Sequence, residues 1–159
     1  MTGGPDRRTL LVVYQSRSGG TQAMTDAFVA GAQHEEIDNV NVRVLRAPDA
    51  GPDDVRACHA IALGTPENFG YMSGLMKDFL ERIYYESLDK TVGLPYVLYV
   101  KASTDGQGAV SSIERILTGL RWKAALPAFV VVGDVEAQHL EHCTELGMTL
   151  AAGVEAGIF

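Results

Sequence analysis

The chain has 159 residues, of which 47% are hydrophobic and 21% charged, and its formal net charge is -7. That length suits one domain with a proper core. The acidity argues against a nucleic-acid partner, because a phosphate backbone needs a basic stripe to release its counterions, and against an anionic membrane surface.

Taken in chain order, Arg7-Arg8 precede the apolar run Leu10–Tyr14. The run is too short for an export signal, which needs about 7–15 apolar residues and a small-residue cleavage site. Residues 1–9 therefore read as a flexible leader, residues 10–159 as a single domain, and the protein as cytoplasmic. Five short apolar runs rich in β-branched residues predict strands: Leu10–Tyr14, Val40–Leu45, Ala60–Leu63, Tyr96–Val100 and Phe129–Val132. Helical spacing fills the gaps. Met24, Ala27 and Phe28 mark a first helix, and Asp53–Ala57 a short second one. Leu75, Met76, Phe79, Leu80, Ile83 and Tyr84 make the clearest stripe, with Lys77, Asp78, Glu81 and Arg82 opposite. Val110, Ile113, Ile116, Leu117 and Leu120 form a fourth helix, and Glu136–Val154 closes the chain. No stretch approaches the ~20 apolar residues of a membrane span. Cys58 and Cys143 stand outside any CxxC pattern and read as small core thiols in a reduced compartment. His139, His142 and Cys143 share the last helix, but without a carboxylate they make a weak zinc set, so no metal is expected and the histidines read as surface residues over a buried Cys143.

Strands alternating with helices, most of them apolar throughout, predict an α/β doubly wound parallel sheet with helices on both faces. In such sheets ligands bind beyond the carboxyl ends of the strands, where the strand order reverses. The loops after strands one, three and four are therefore the candidate site.

The first loop is Ser16-Arg17-Ser18-Gly19-Gly20-Thr21. Two glycines let backbone N–H groups curl inward, the next helix adds its free amides and positive dipole end, and three hydroxyls can donate without charge. That suits a phosphate. The nucleoside-triphosphate pattern GxxxxGK[ST] and the dinucleotide pattern GxGxxG are both absent. Taken alone, such a turn is more often ordinary helix capping than a ligand site, and only the other loops argue for a ligand. The second loop, Gly64-Thr65-Pro66-Glu67-Asn68-Phe69-Gly70-Tyr71-Met72-Ser73-Gly74, sets aromatics beside glycines, as a flat ring system needs, and ends in Ser73 as a plausible N-cap. The plain alternative is that Phe69 and Tyr71 staple the helix to the sheet. The third, Lys101-Ala102-Ser103-Thr104-Asp105-Gly106-Gln107-Gly108, offers amides for the polar edge of a heterocycle, or is a solvated turn.

The segments SRSGGT, GTPENFGYMSGLMKDFL and STDGQG, in that order and spacing, resemble the flavodoxin-like family that binds flavin mononucleotide (FMN). The resemblance runs from about Leu10 to Val132. It implies a five-stranded parallel sheet in the order 2-1-3-4-5, in the short-chain form whose last strand carries no long insertion. It implies that Ser16, Arg17, Ser18, Gly19, Gly20 and Thr21 surround the 5′-phosphate. Thr65, Pro66, Glu67, Asn68, Phe69 and Gly70 would line the isoalloxazine ring, and Ser103, Thr104, Asp105, Gly106, Gln107 and Gly108 its pyrimidine side. Family members often carry an aromatic where Asn68 stands and a hydroxyl or small residue where Glu67 stands.

On this reading the flavin supplies the redox chemistry and no catalytic side chain is expected. Carboxylates near the ring lower its potential, so Glu67 and Asp105 are candidates for that role, with Lys101 opposing them, although all three also read as solvated loop charges. Two functions follow from the resemblance. One is an oxidoreductase that takes electrons from NAD(P)H and passes them to a quinone or similar small-molecule acceptor; the FGYMSG loop resembles that side of the family. The other is a one-electron carrier to redox partner proteins, which an acidic surface would steer. The quinone reductases usually carry an extra segment and form tetramers, for which this chain has little room, and a homo-oligomer is left open. A third reading keeps the fold as a binding module without flavin.

Overall fold

The computed structural model describes residues 7–159. The chain runs β1 (Arg8–Tyr14), α1 (Gly20–Ala32), β2 (Val40–Arg46), a 3-10 turn at Ala47–Asp49, α2 (Pro52–Ala57), β3 (Ala60–Asn68) and β4 (Tyr71–Met72). It continues through α3 (Gly74–Ser87), β5 (Pro95–Ala102), α4 (Gln107–Gly119), β6 (Lys123–Ala124), β7 (Phe129–Val132) and α5 (Ala137–Ala156). All five expected strands are present, and so are the five helices.

The parallel sheet has the order β2-β1-β3-β5, and both β6 and β7 pair with the far edge of β5. Those two pieces form one interrupted edge strand, so the expected order 2-1-3-4-5 holds. Ala124 pairs with Tyr96 and Phe129 with Tyr99, so the edge strand bulges between them. Pro127 lies in the bulge and has no amide for the ladder.

Side-chain alternation divides the apolar strands between two cores. Leu11, Val13, Ile61, Leu63, Leu98 and Val100 pack with Met76, Phe79, Leu80 and Ile83 of α3 and with Ile113 and Leu117 of α4. Leu10, Val12, Ala62, Val97 and Tyr99 face Met24 and Phe28 of α1 and Leu146 and Leu150 of α5. Each large side chain so buried contributes about 1.5–3 kcal/mol. Cys143 lies inside the second core, whereas Cys58 is half-buried and its thiol donates to the Val55 carbonyl at 3.1 Å, so only one of the two is a full core residue. Burial pushes both thiols up to about 12. His139 Nδ1 accepts from the Glu136 amide, and His142 stacks on Phe129 with ring centres 4.1 Å apart.

Two boundaries differ from the sequence expectation. β1 opens at Arg8, which pairs with Val40 and donates its amide to Asn39, so Arg8 and Thr9 belong to the sheet and not to a leader. The rest of the expected leader, residues 1–6, lies outside the described residues. β3 runs on to Asn68, beyond the expected end at Leu63, because it first keeps β5 as a partner, with Pro66 opposite Lys101, and then turns into a hairpin with β4. Among the described residues no helix is long and apolar enough to cross a membrane.

Candidate functional site

The topology brings the three candidate loops to one edge of the sheet. Their polar groups behave differently.

At the first loop, Gly19 adopts φ 97°, a conformation that side-chain residues rarely take, and the chain turns there into α1. The Ser16 hydroxyl accepts from the Gln22 amide at 3.1 Å, which realises part of the capping reading and leaves its own hydrogen free. The backbone amides from Ser16 to Thr21 meet no acceptor among the described residues. Thr21 is buried and its Oγ1 has no hydrogen-bond partner, and the same holds for Oε1 of Gln15 at the end of the preceding strand. Buried polar atoms without partners are rare and costly. Of the two, the Thr21 hydroxyl can donate, and it adjoins a row of free amides at the positive end of a helix, which is the donor set an anionic ester requires. The Gln15 oxygen is an acceptor and adds nothing to that set. The residues fit a phosphate.

The first turn of α1 is fixed from below. The Thr25 hydroxyl donates to the Thr21 carbonyl at 2.8 Å and shares a 2.7 Å hydrogen bond with the hydroxyl of buried Tyr99. Burial pushes the Tyr99 phenol well above its ordinary pKa, so it stays neutral.

At the second loop, Glu67 pairs with Met72 and Asn68 with Tyr71, and Phe69 and Gly70 form the two-residue turn at φ 54° and 71°. The expected loop is therefore a β-hairpin. Thr65 is fully buried and does not line a surface: its hydroxyl donates to the Pro66 carbonyl at 2.9 Å and accepts from the Ser73 amide at 3.0 Å. Ser73 occupies the N-cap position of α3 without a side-chain cap bond. Phe69 projects entirely into solvent and Tyr71 is 42% exposed, which overturns the reading of these aromatics as staples.

Glu67 is the main correction. Only 6% exposed, it is not a solvated loop charge. One carboxylate oxygen accepts the Thr104 amide at 3.0 Å and the Thr104 hydroxyl at 2.7 Å, and the other accepts the Gly106 amide at 2.9 Å. The Thr104 hydroxyl and these backbone donors hold its carboxyl below the usual glutamate range, outweighing the opposite effect of burial. The carboxylate thus binds the third loop to the hairpin. In consequence the Thr104 and Gly106 amides are not available to a heterocycle, and the Gln107 amide goes to Asp105 Oδ1 at 3.0 Å. Gly108 closes the same seam: a Cβ there would stand 1.6 Å from the Gly70 carbonyl oxygen. Ser103, Asp105 and Gln107 are exposed, and the solvated reading of Asp105 stands.

Two adjoining clefts connect the first loop to the hairpin. Arg17, Asn68, Phe69, Tyr71, Met72 and Gly74 line one of about 590 Å³. Gln15, Arg17, Asn68, Ser73, Gly74 and Leu75 line one of about 390 Å³. The expected residues Arg17, Asn68 and Phe69 meet here; Tyr71, Met72, Ser73 and Gly74 belong to the second loop but lie beyond its expected ring lining, and Gln15 and Leu75 lie outside the candidate loops. Gln15 left a trace in the sequence, as a polar residue ending an apolar run. A separate groove between α3 and α4, of about 410 Å³ beside Tyr84 and Tyr85, contains none of the loop residues.

This site on this sheet defines the flavodoxin-like fold. A flavodoxin of archaeal origin superposes with a TM-score of 0.81 at 24% identity, covering 92% of this chain and 99% of that one. In sequence the chain is 27% identical over 153 residues to a protein named NAD(P)H dehydrogenase (quinone) from Acidithiobacillus ferrooxidans, covering 83% of this chain and 76% of that protein. It is also 31% identical over 74 residues to a flavodoxin of Aquifex aeolicus, a match that covers 46% of this chain and 39% of the flavodoxin. No protein-family model matches the chain.

Proposed function

We propose that the protein is an FMN-dependent oxidoreductase that accepts electrons from NAD(P)H and delivers them to a quinone or a similar small acceptor. The observation that carries this reading is the row of amides from Ser16 to Thr21 without acceptors, beside the unpartnered Thr21 hydroxyl. Such a set supplies the donors that an anion needs. The likeness to a protein named as a quinone dehydrogenase supports the direction of electron flow.

When bound, FMN supplies the redox chemistry: it takes up a hydride and gives up electrons singly or in pairs. The chain's residues bind and orient it. Ser16, Ser18 and Thr21 donate hydroxyl hydrogens to the phosphate, the loop amides add theirs, and Arg17 stands over the cleft leading to the hairpin. Asn68 and the Phe69–Gly70 turn border the ring. The buried Glu67 carboxylate fixes the spacing between hairpin and third loop, and its charge disfavours a second negative charge nearby.

A one-electron carrier is the second reading, favoured by the full-length superposition on an archaeal flavodoxin. Anaerobic mixing of the FMN-loaded protein with NADPH or NADH separates the two. Bleaching within seconds, followed by turnover when a quinone is added, is the expected result. Loss of colour with dithionite alone would assign the carrier role. A protein that takes up no FMN would remove both.

A further inference from the structure

We propose that Lys101 reads the phosphate charge of the flavin, so that this chain selects FMN over riboflavin; the inference rests on the flavin reading above. Lys101 is the penultimate residue of β5 and lies on the α1 side of the sheet, as alternation with Tyr99 on that face and Val100 and Ala102 on the other requires. Its stem crosses the first residue of α1. A Cβ added to Gly20 would meet Lys101 Cγ at 2.9 Å, Cε at 3.3 Å and Cδ at 3.4 Å. The missing side chain at Gly20 is therefore the gap through which the lysine passes. Beyond it the ammonium donates one hydrogen bond, to the Ala102 carbonyl at 3.4 Å, at the carboxyl edge of the sheet where the loops converge, and keeps its other hydrogens.

The electrostatics of that position are unusual for an acidic chain. The ion pairs among the described residues use Arg43, Arg56, Lys77 and Arg82, and none involves Lys101. A half-buried cation thus sits against the positive end of a helix whose first amides also lack acceptors. Like potentials gathered in one place are unfavourable until an anion arrives, and a phosphate dianion relieves all of them together. Hydroxyls and amides alone would hold an uncharged hydroxyl group as well; the fixed ammonium adds an attraction that only a charged ester gains. Arg17 is exposed and lines the clefts that lead to the hairpin, whereas the Lys101 stem is packed against Gly20.

Apo-protein titrated with FMN and with riboflavin, followed by flavin fluorescence, tests the assignment in the native chain, Lys101→Met and Lys101→Arg. The native chain should prefer FMN. Lys101→Met should lower FMN affinity about tenfold, leave riboflavin affinity within about twofold, and flatten the salt dependence of FMN binding, whereas Lys101→Arg should keep most of the preference. An equal loss for both flavins would make Lys101 a packing residue, and no loss for either would make it a bystander; each result overturns the proposal. If the native chain binds neither flavin, or both equally, the flavin-phosphate reading itself fails, and that is visible before any variant is compared.

Discussion

The first loop and the seam between hairpin and third loop stand at the same edge of one sheet, yet they treat their polar groups in opposite ways. In the seam the Glu67 carboxylate takes the Thr104 and Gly106 amides and the Thr104 hydroxyl, and Gly108 closes on the Gly70 carbonyl. In the first loop the amides from Ser16 to Thr21 and the Thr21 hydroxyl lack such partners, and the Lys101 ammonium, which donates to the Ala102 carbonyl, has no carboxylate partner among the described residues. A region that satisfies itself is a frame. One that leaves a buried hydroxyl and a helix's first amides open has the donors for a group from outside the chain.

The contrast predicts that damage to the frame appears as stability and damage to the first loop as affinity. The largest effect is expected for Glu67→Ala, which strands two amides and a hydroxyl. It should cost about 3 kcal/mol and lower the Tm by about 6–12 °C, measured by calorimetry. The same carboxylate gives stability a pH dependence. Because its folded pKa is lowered, its contribution is fully present above the unfolded glutamate value and is lost as pH falls through the folded one. Native protein and Glu67→Gln should therefore converge in stability as pH is lowered below about 4. Gly108→Ala comes next. Its methyl cannot coexist with the Gly70 carbonyl, so the hairpin must shift, at about 1–3 kcal/mol in denaturant titration. Thr21→Val tests the other side: apo-protein stability should be unchanged or raised, since a partnerless buried hydroxyl is removed, while FMN binding weakens by about 1.5–3 kcal/mol. A Tm loss without an affinity loss would assign Thr21 to the frame. The smallest effect belongs to Phe69→Gly, which should stabilise by about 0.5–1 kcal/mol because an exposed aromatic leaves a left-handed turn position.

The frame was harder to read from the sequence than the first loop, for a physical reason. The apolar runs from Leu10 to Tyr14 and from Ala60 to Leu63 announce buried parallel strands, and SRSGGT between strand and helix announces an anion cradle, because all those signals are local. The role of Glu67 is not local. A carboxylate in a glycine-containing segment after a strand ordinarily faces water, and its burial follows only from a loop nearly forty residues later folding over it. The extension of β3 was hidden in the same way: Pro66 argues against a central strand, and it is tolerated here because β1 stops pairing at Gly64 and leaves β5 as the only neighbouring strand at that position among the described residues. Arg8 and Thr9 looked like a leader because nothing apolar marks them, and they are drawn into the sheet by pairing with β2.

Amide chemical shifts in the 15N-labelled apo-protein test the central claim most directly, by addition of FMN and, separately, of riboflavin. The amides of Gly19, Gly20 and Thr21 should move strongly with FMN and far less with riboflavin, while those of Thr104 and Gly106, already held by Glu67, stay close to their starting positions. Equal responses to the two flavins in the first loop, or the largest phosphate-dependent shifts at Thr104 and Gly106, would contradict it.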